Sequence, residues 1–125
     1  MNARSLCTLL ITASLLIAAP LRADDEVNIK TTPVADNIYM LTGKGGNIGV
    51  FTGADGTFVI DDQFAPLTEK ILQAIKKLGG DSPRFLINTH FHGDHTGGNE
   101  NLGKAGTLIV SHHNVRKRLE NGYYI

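Results

Sequence analysis

The chain has 125 residues, 12 basic and 12 acidic side chains, a formal net charge of zero at pH 7, and five histidines. This balanced charge argues against nucleic acid or an anionic membrane surface as a partner. The one cysteine is too few for an internal disulfide or for a structural site built from thiolates. The length suits one small domain with a modest core.

Residues 1–23 have the pattern of a signal peptide. Arg4 supplies the positive charge that precedes an apolar run over residues 6–19, and Ala23 is the small residue expected at a cleavage point. A membrane-spanning helix would need about 20 apolar residues, whereas Pro20 ends this shorter run. We therefore expect cleavage near Ala23 and a periplasmic or secreted protein without a stable membrane anchor.

Cleavage at that point would remove Arg4, Cys7 and Arg22. The mature chain, residues 24–125, would then have ten basic and 12 acidic side chains and a formal charge of −2. Because it would contain no thiol, export to an oxidising compartment would affect neither its fold nor its metal ligands.

Four strands are predicted after the signal peptide. Apolar and polar residues alternate over residues 27–31, and a second strand is predicted over residues 38–42. Residues 47–52 and 57–61 are predicted to form a hairpin, because Asp55-Gly56 supplies the positive φ angles that tight turns require.

The glycine-rich segment Gly43-Lys44-Gly45-Gly46 lies just before this hairpin. It lacks the Gly-x-x-x-x-Gly-Lys-Ser/Thr spacing of a phosphate-binding loop, and a strand rather than a helix follows it. We interpret it as a hairpin loop that borders the mouth of an active site.

A helix is predicted to begin at Pro66, which is tolerated in a first turn, and to end at Gly79-Gly80. Its apolar residues recur at helical spacing and form one buried stripe: Leu67, Ile71, Leu72, Ile75 and Leu78. An apolar strand over residues 84–89 follows, which predicts a βαβ unit. Ligands in such sheets bind outside the carboxyl ends of the strands, the position of residues 90–95.

The last elements predicted are a helical turn over residues 101–105, a strand over 107–110 and a helix over 112–119. Ser111 is the expected N-cap of that helix. The basic run Arg116-Lys117-Arg118 is interpreted as a solvent-exposed helix face rather than as a nucleic-acid-binding patch.

The segment Thr89-His90-Phe91-His92-Gly93-Asp94-His95-Thr96-Gly97-Gly98-Asn99 contains three of the five histidines, together with an aspartate. A strand projects alternate side chains to one face, so His90 and His92 can point the same way if the extended backbone persists. Asp94 and His95 follow Gly93 and would approach from a turn. Imidazole nitrogen and carboxylate oxygen are ligands for zinc or a similar divalent ion. The segment therefore predicts a metal site.

This segment resembles the metal-binding signature of the metallo-β-lactamase-fold hydrolases. The resemblance implies that His90 and His92 bind a first metal ion and that Asp94 and His95 bind a second. It implies an α/β fold, the αββα sandwich, of which residues 24–125 would supply the N-terminal portion, about one sheet with its helices. Members of that family are about twice as long, with two similar halves packed face to face.

The resemblance also implies a zinc-dependent hydrolase of small-molecule substrates. Zinc lowers the pKa of a bound water to about 7, so that hydroxide can attack an ester, thioester or amide carbonyl, including a lactam. Asp94 would orient the water and transfer a proton in addition to binding metal. The remaining ligands are expected from later strands. The alternative is a non-catalytic exported protein that binds zinc or serves as an accessory factor.

Roles are also predicted for two aspartates at the end of the fourth strand and for two histidines near the C-terminus. Asp61 ends an apolar strand, and we expect it to support the metal loop from behind, as an aspartate does at this place in proteins of similar sequence. Asp62 is expected to be exposed. His112 and His113 could complete the metal set, but their position at the start of a helix favours a surface capping role.

The predicted processing site can be tested directly. N-terminal sequencing of the exported protein should begin at or near Asp24, because Ala23 is the small residue that precedes the expected cut. An exported protein that still begins at Met1 would contradict the signal-peptide prediction.

Overall fold

The structure is a computed structural model and describes residues 26–122, so the predicted signal peptide lies outside the described residues. Six strands are present: β1 (Lys30–Ala35), β2 (Ile38–Thr42), β3 (Ile48–Gly53), β4 (Gly56–Ile60), β5 (Pro83–Asn88) and β6 (Leu108–Ser111). Four helices accompany them: α1 (Thr68–Lys77), α2 (Gly93–Thr96), α3 (Asn99–Lys104) and α4 (His113–Glu120). A single 3-10 turn, Ala65–Leu67, leads into α1.

The strands form one mixed sheet in the order β1-β2-β3-β4-β5-β6. The first four strands are antiparallel neighbours, whereas β5 runs parallel to both β4 and β6. Helix α1 connects β4 to β5, which confirms the predicted βαβ unit, and α2 and α3 connect β5 to β6. The carboxyl ends of β4, β5 and β6 therefore meet at one edge of the sheet.

Two predicted boundaries are wrong. Strand β1 begins at Lys30 rather than at residue 27, and it includes Pro33, which an edge strand tolerates because its N–H need not donate to a neighbour. Ser111 ends β6 and does not cap α4. The cap is His112, whose Nδ1 accepts a hydrogen bond from the backbone N–H of Asn114 at 3.2 Å.

The core lies between one face of the sheet and the helices. Alternate residues of the strands are buried there, including Leu41, Ile48, Val50, Val59 and Leu86. They pack with the apolar stripe of α1 and with Leu102 of α3. This pattern confirms that the predicted helical stripe is core.

The opposite face of the sheet is apolar and largely exposed. Phe51, Phe58 and Phe85 lie on adjacent strands in paired register, and the Phe58 and Phe85 rings stack with centroids 5.1 Å apart. Other apolar residues with large exposed fractions in the sheet are Ile38, Ile60, Ile87, Leu108 and Val110. The described chain is thus a sheet with helices against one face, as expected for one half of a layered sandwich.

Among residues 26–122, no helix is both long enough and apolar enough to cross a membrane.

Candidate metal centre

The site is built around Asp61, the first residue after β4. Ile60 and Ile87 are partners in the parallel register, and the backbone N–H of Asp61 donates to the Ile87 carbonyl at 3.0 Å. Asp61 has a φ of 60°, a left-handed conformation that few residues other than glycine adopt. This turn of the backbone places the Asp61 carboxylate beside the segment that follows β5.

The carboxylate of Asp61 is buried and has three partners. Its Oδ1 accepts a hydrogen bond from the backbone N–H of Thr89 at 2.8 Å, and its Oδ2 accepts one from the Thr89 hydroxyl at 2.7 Å. The same Oδ2 lies 2.7 Å from Nδ1 of His95. A carboxylate at this distance favours the tautomer in which Nδ1 carries the proton, so Nε2 of His95 is free to bind a metal ion.

The three histidines of the predicted site lie close together. The ring centroids of His90 and His95 are 4.0 Å apart, and those of His90 and His92 are 4.8 Å apart. Asp94 is also present, with a carboxylate oxygen 3.5 Å from Nε2 of His95. All four residues assigned from the sequence are therefore neighbours.

One compact group in the described chain could hold a metal ion. Asp61, His90 and His95 each offer a ligand atom, and these atoms lie within 4.8 Å of one another. The group includes Asp61, for which the sequence predicts a supporting role, and does not include His92 or Asp94. The division of ligands between two metal ions therefore stays a prediction.

The backbone of the segment is held from behind. Strand β5 ends at Asn88, so His90 and His92 lie beyond the strand, and a short helix, α2, presents Asp94 and His95. The carbonyl of His95 accepts a hydrogen bond from the backbone N–H of Asp62 at 3.0 Å. The side-chain amides of Asn88 and Asn99 bond to each other in both directions, at 3.1 and 2.9 Å.

The expectation that Asp62 is exposed is wrong. Its side chain is buried, and Oδ1 accepts a hydrogen bond from the backbone N–H of Gly98 at 3.1 Å. Burial is the main reason that the pKa of Asp62 is raised from 3.8 to about 7; Asp61 also raises it, whereas the Gly98 N–H and His95 lower it. Within the described residues Oδ2 of Asp62 has no hydrogen-bond partner, so no contact at that oxygen offsets the burial of the charged form.

The glycine-rich loop lies against the site, as predicted. A Cβ atom on Gly46 would coincide with the His95 ring, and one on Gly45 would lie 2.7 Å from Cβ of Asp94. The buried Gln63, which has a φ of 56°, donates from Nε2 to the Gly46 carbonyl. At positions 45 and 46, a residue with a side chain would have to displace His95 or Asp94.

The roles of Asp62, Gln63 and Asn88 are not predicted by the sequence patterns. Asn88 is the last residue of β5, and Asp62 and Gln63 follow β4 by two and three positions. A polar residue at or just beyond the end of an apolar strand is the one signal that could have suggested them. Within the described part of the chain, the group of three residues does not include His112 or His113, and His112 caps α4.

Comparison with known families gives one match over most of the chain. Residues 41–123 match the family model described as the metallo-beta-lactamase superfamily. A comparison with curated proteins gives no match.

Solved structures of metallo-β-lactamases resemble the chain. A subclass B3 enzyme of Bradyrhizobium japonicum is 31% identical, with a TM-score of 0.69 over 78% of this chain and 38% of that one. An enzyme of Novosphingobium pentaromativorans is 32% identical, with a TM-score of 0.62 over 69% of this chain and 33% of that enzyme. The mono-zinc form of a Pseudomonas aeruginosa enzyme is 19% identical and shares the fold. Its TM-score is 0.70 over 79% of this chain and 48% of that enzyme.

The chain thus spans less than half the length of each of these three proteins. The predicted α/β fold is confirmed as a partial metallo-β-lactamase fold, with one mixed sheet and its helices.

The close approach of Gly46 to His95 can be tested with Gly46→Ala. The added methyl group must displace either the loop or the imidazole, so the NMR signals of the His95 ring should move and zinc affinity should fall by about 10- to 100-fold. Zinc affinity can be measured by competition with a chromophoric chelator.

Gly103→Ala is the matched control, because a Cβ on Gly103 meets only the Ile109 side chain at 3.5 Å. That variant should bind zinc like the unmodified chain. Unchanged His95 signals and zinc affinity in a folded Gly46→Ala protein would contradict the packing described here.

Proposed function

Because the chain belongs to the metallo-β-lactamase superfamily, we propose that it is the N-terminal part of a zinc-dependent hydrolase that acts on an ester, thioester or amide carbonyl, lactams included. The observation that supports this most strongly is the contact of Asp61 with Nδ1 of His95, which leaves Nε2 available. A carboxylate behind a histidine is the usual support of a metal-binding imidazole.

The donor set fits zinc. His90 contacts the Thr89 hydroxyl through Nδ1 at 3.0 Å, so its Nε2 is also available, and three imidazoles with a carboxylate match the ligands that zinc prefers. We assign His90 and His92 to one ion and Asp94 and His95 to a second. When bound, such ions would lower the pKa of a coordinated water to about 7 and polarise the substrate carbonyl.

The residues of the chain would then have distinct tasks. His90, His92 and His95 would hold the ions, and Asp61 would fix the orientation of His95. Asp94, with its carboxylate 3.5 Å from Nε2 of His95, would orient the attacking water and accept its proton. The half-exposed side chain of Asp94 is accessible to a substrate that enters beside the glycine-rich loop.

We further propose that the protein acts on a small molecule after export to the periplasm or beyond. The absence of a basic surplus in residues 24–125 supports a substrate other than nucleic acid. Because the chain spans less than half of the matched enzymes, the residues that would select a substrate and complete the ligand sets are expected in further sequence.

The second candidate is a non-catalytic exported protein that binds zinc for storage or as an accessory factor. It is favoured by the small number of ligands that the described chain offers to each ion. The codons that follow Ile125 in the gene would separate the two: a further histidine and a bridging aspartate support the hydrolase, and their absence supports the zinc-binding protein.

The metal assignment predicts that zinc, or another divalent ion, copurifies with the natural gene product. The double variant His90→Ala/His92→Ala should lose that metal, because two of the imidazole ligands are removed. Mass-spectrometric metal analysis of the purified proteins measures the change. The control is His113→Ala, which removes an exposed histidine outside the group and should retain the metal. Purified natural protein without metal would contradict the site.

The assignment of Asp94 predicts a loss of turnover. Asp94→Ala should reduce the rate by at least about 100-fold on whichever substrate of a thioester, ester and lactam panel is hydrolysed, because proton transfer is lost. Rates should be measured with excess zinc, and bound zinc should be measured in parallel. Asp81→Ala, a change at an exposed aspartate outside the site, is the control. Equal rates for Asp94→Ala and the unmodified protein would remove Asp94 from the mechanism.

A further inference from the structure

His92 differs from the other two histidines of the site in how its ring is held. His90 contacts the Thr89 hydroxyl at 3.0 Å, and His95 contacts the Asp61 carboxylate at 2.7 Å. Within residues 26–122 the ring of His92 has no hydrogen-bond partner, although its carbonyl accepts bonds from α2. Imidazoles that bind metal are almost always oriented through their second nitrogen. Within the described residues, the contacts that can orient the exposed His92 ring are those with other rings.

Two rings lie against this imidazole, and a cation lies over one of them. The Phe91 ring lies 4.6 Å from the His92 ring at 54°, and the His90 ring lies 4.8 Å from it, nearly edge-on at 85°. The guanidinium carbon of Arg118 lies 4.7 Å from the centroid of Phe91. A guanidinium at this distance from an aromatic ring is attracted by the negative charge density of the ring face.

Helix α4 holds Arg118 in this place. Val115, one turn earlier on the same face, is buried and fixes the helix against the rest of the chain. Arg116 points elsewhere and pairs with Glu120 at 2.8 Å, whereas Arg118 has no acidic partner within the described residues. The interpretation of the whole basic run as a solvated helix face is therefore incomplete, because one of its members contacts the aromatic residue between two predicted ligands.

We propose that Arg118 is a positioning residue for His92. Its guanidinium holds the Phe91 ring, and the Phe91 ring holds the His92 imidazole in the orientation that directs it toward His90 and the metal. This inference rests on the proposed function, since it assigns to His92 a ligand role that it shares with His90. For His92, the contact of Arg118 with Phe91 thereby takes the place of the Nδ1 hydrogen bond that orients His90 and His95.

Arg118→Met tests the proposal, since methionine keeps an unbranched side chain and a high helix propensity but removes the charge. In the full metal-free chain, the NMR signals of the His92 ring protons should move toward those of an unfolded chain, because the Phe91 ring no longer has a fixed place. The signals of His95, which the Asp61 carboxylate holds, should stay. Zinc affinity should fall about two- to fivefold, which corresponds to the about 0.5–1 kcal/mol expected for an exposed cation–π contact.

Two further substitutions separate positioning from a general effect of charge. Arg116→Met makes the same chemical change on the same helix and should leave both the His92 signals and zinc affinity unchanged. Arg118→Lys keeps the charge and should restore part of the effect. In a Phe91→Leu background, adding Arg118→Met should change zinc affinity no further, because the ring that transmits the contact is absent.

The two readouts also separate this inference from the proposed function. If the unmodified natural protein binds no zinc, the proposed function fails, while the His92 signals of the metal-free chain still decide whether Arg118 orients the ring. If zinc binds but Arg118→Met leaves the His92 signals in place, the positioning role is wrong. An equal fall in zinc affinity for Arg116→Met would likewise overturn it.

Discussion

The geometry of the site depends on the contacts of one carboxylate, that of Asp61. It joins the end of β4 to the backbone and hydroxyl of Thr89 after β5 and to the imidazole of His95. These contacts are within reach because β4 and β5 are parallel neighbours, so that their carboxyl ends lie side by side. A buried carboxylate without partners would be destabilising, so the three hydrogen-bonding groups also account for its burial.

The surrounding structure serves to keep the segment from residue 89 to residue 99 in one place. Asp62 and the amide pair of Asn88 and Asn99 hold its backbone, and the glycine-rich loop closes against His95. Two residues next to β4, Asp61 and Gln63, have left-handed backbone conformations. Strain of this kind persists where surrounding contacts outweigh it, and it is concentrated at functional sites.

The sheet is covered on one face only, and this bears on function as well as on fold. One face of the sheet packs against the core, whereas the opposite face presents stacked phenylalanines to solvent. The matched enzymes are more than twice as long as the region they share with this chain. The described residues therefore contain a group that could hold a metal ion, together with its supports.

Much of this could be predicted from short-range patterns. The hairpin of β3 and β4, the apolar stripe of α1 and the strand before the histidines follow from periodicity and turn residues, which act between near neighbours in the chain. The spacing of His90, His92, Asp94 and His95 was sufficient to indicate a metal site. The predicted start of β1 and the predicted cap of α4 are wrong. The start of β1 depends on where β2 is available for pairing, and the cap of α4 depends on an imidazole that accepts a backbone hydrogen bond.

The sequence by itself thus determined the kinds of element and the candidate ligands. Only the tertiary structure decided that Asp62 is buried, that Gln63 holds the glycine loop, and that Arg118 lies over Phe91. The physical reason is that each of these contacts joins residues 17 to 36 positions apart, whose distance in space is set by strand order and helix packing rather than by local pattern.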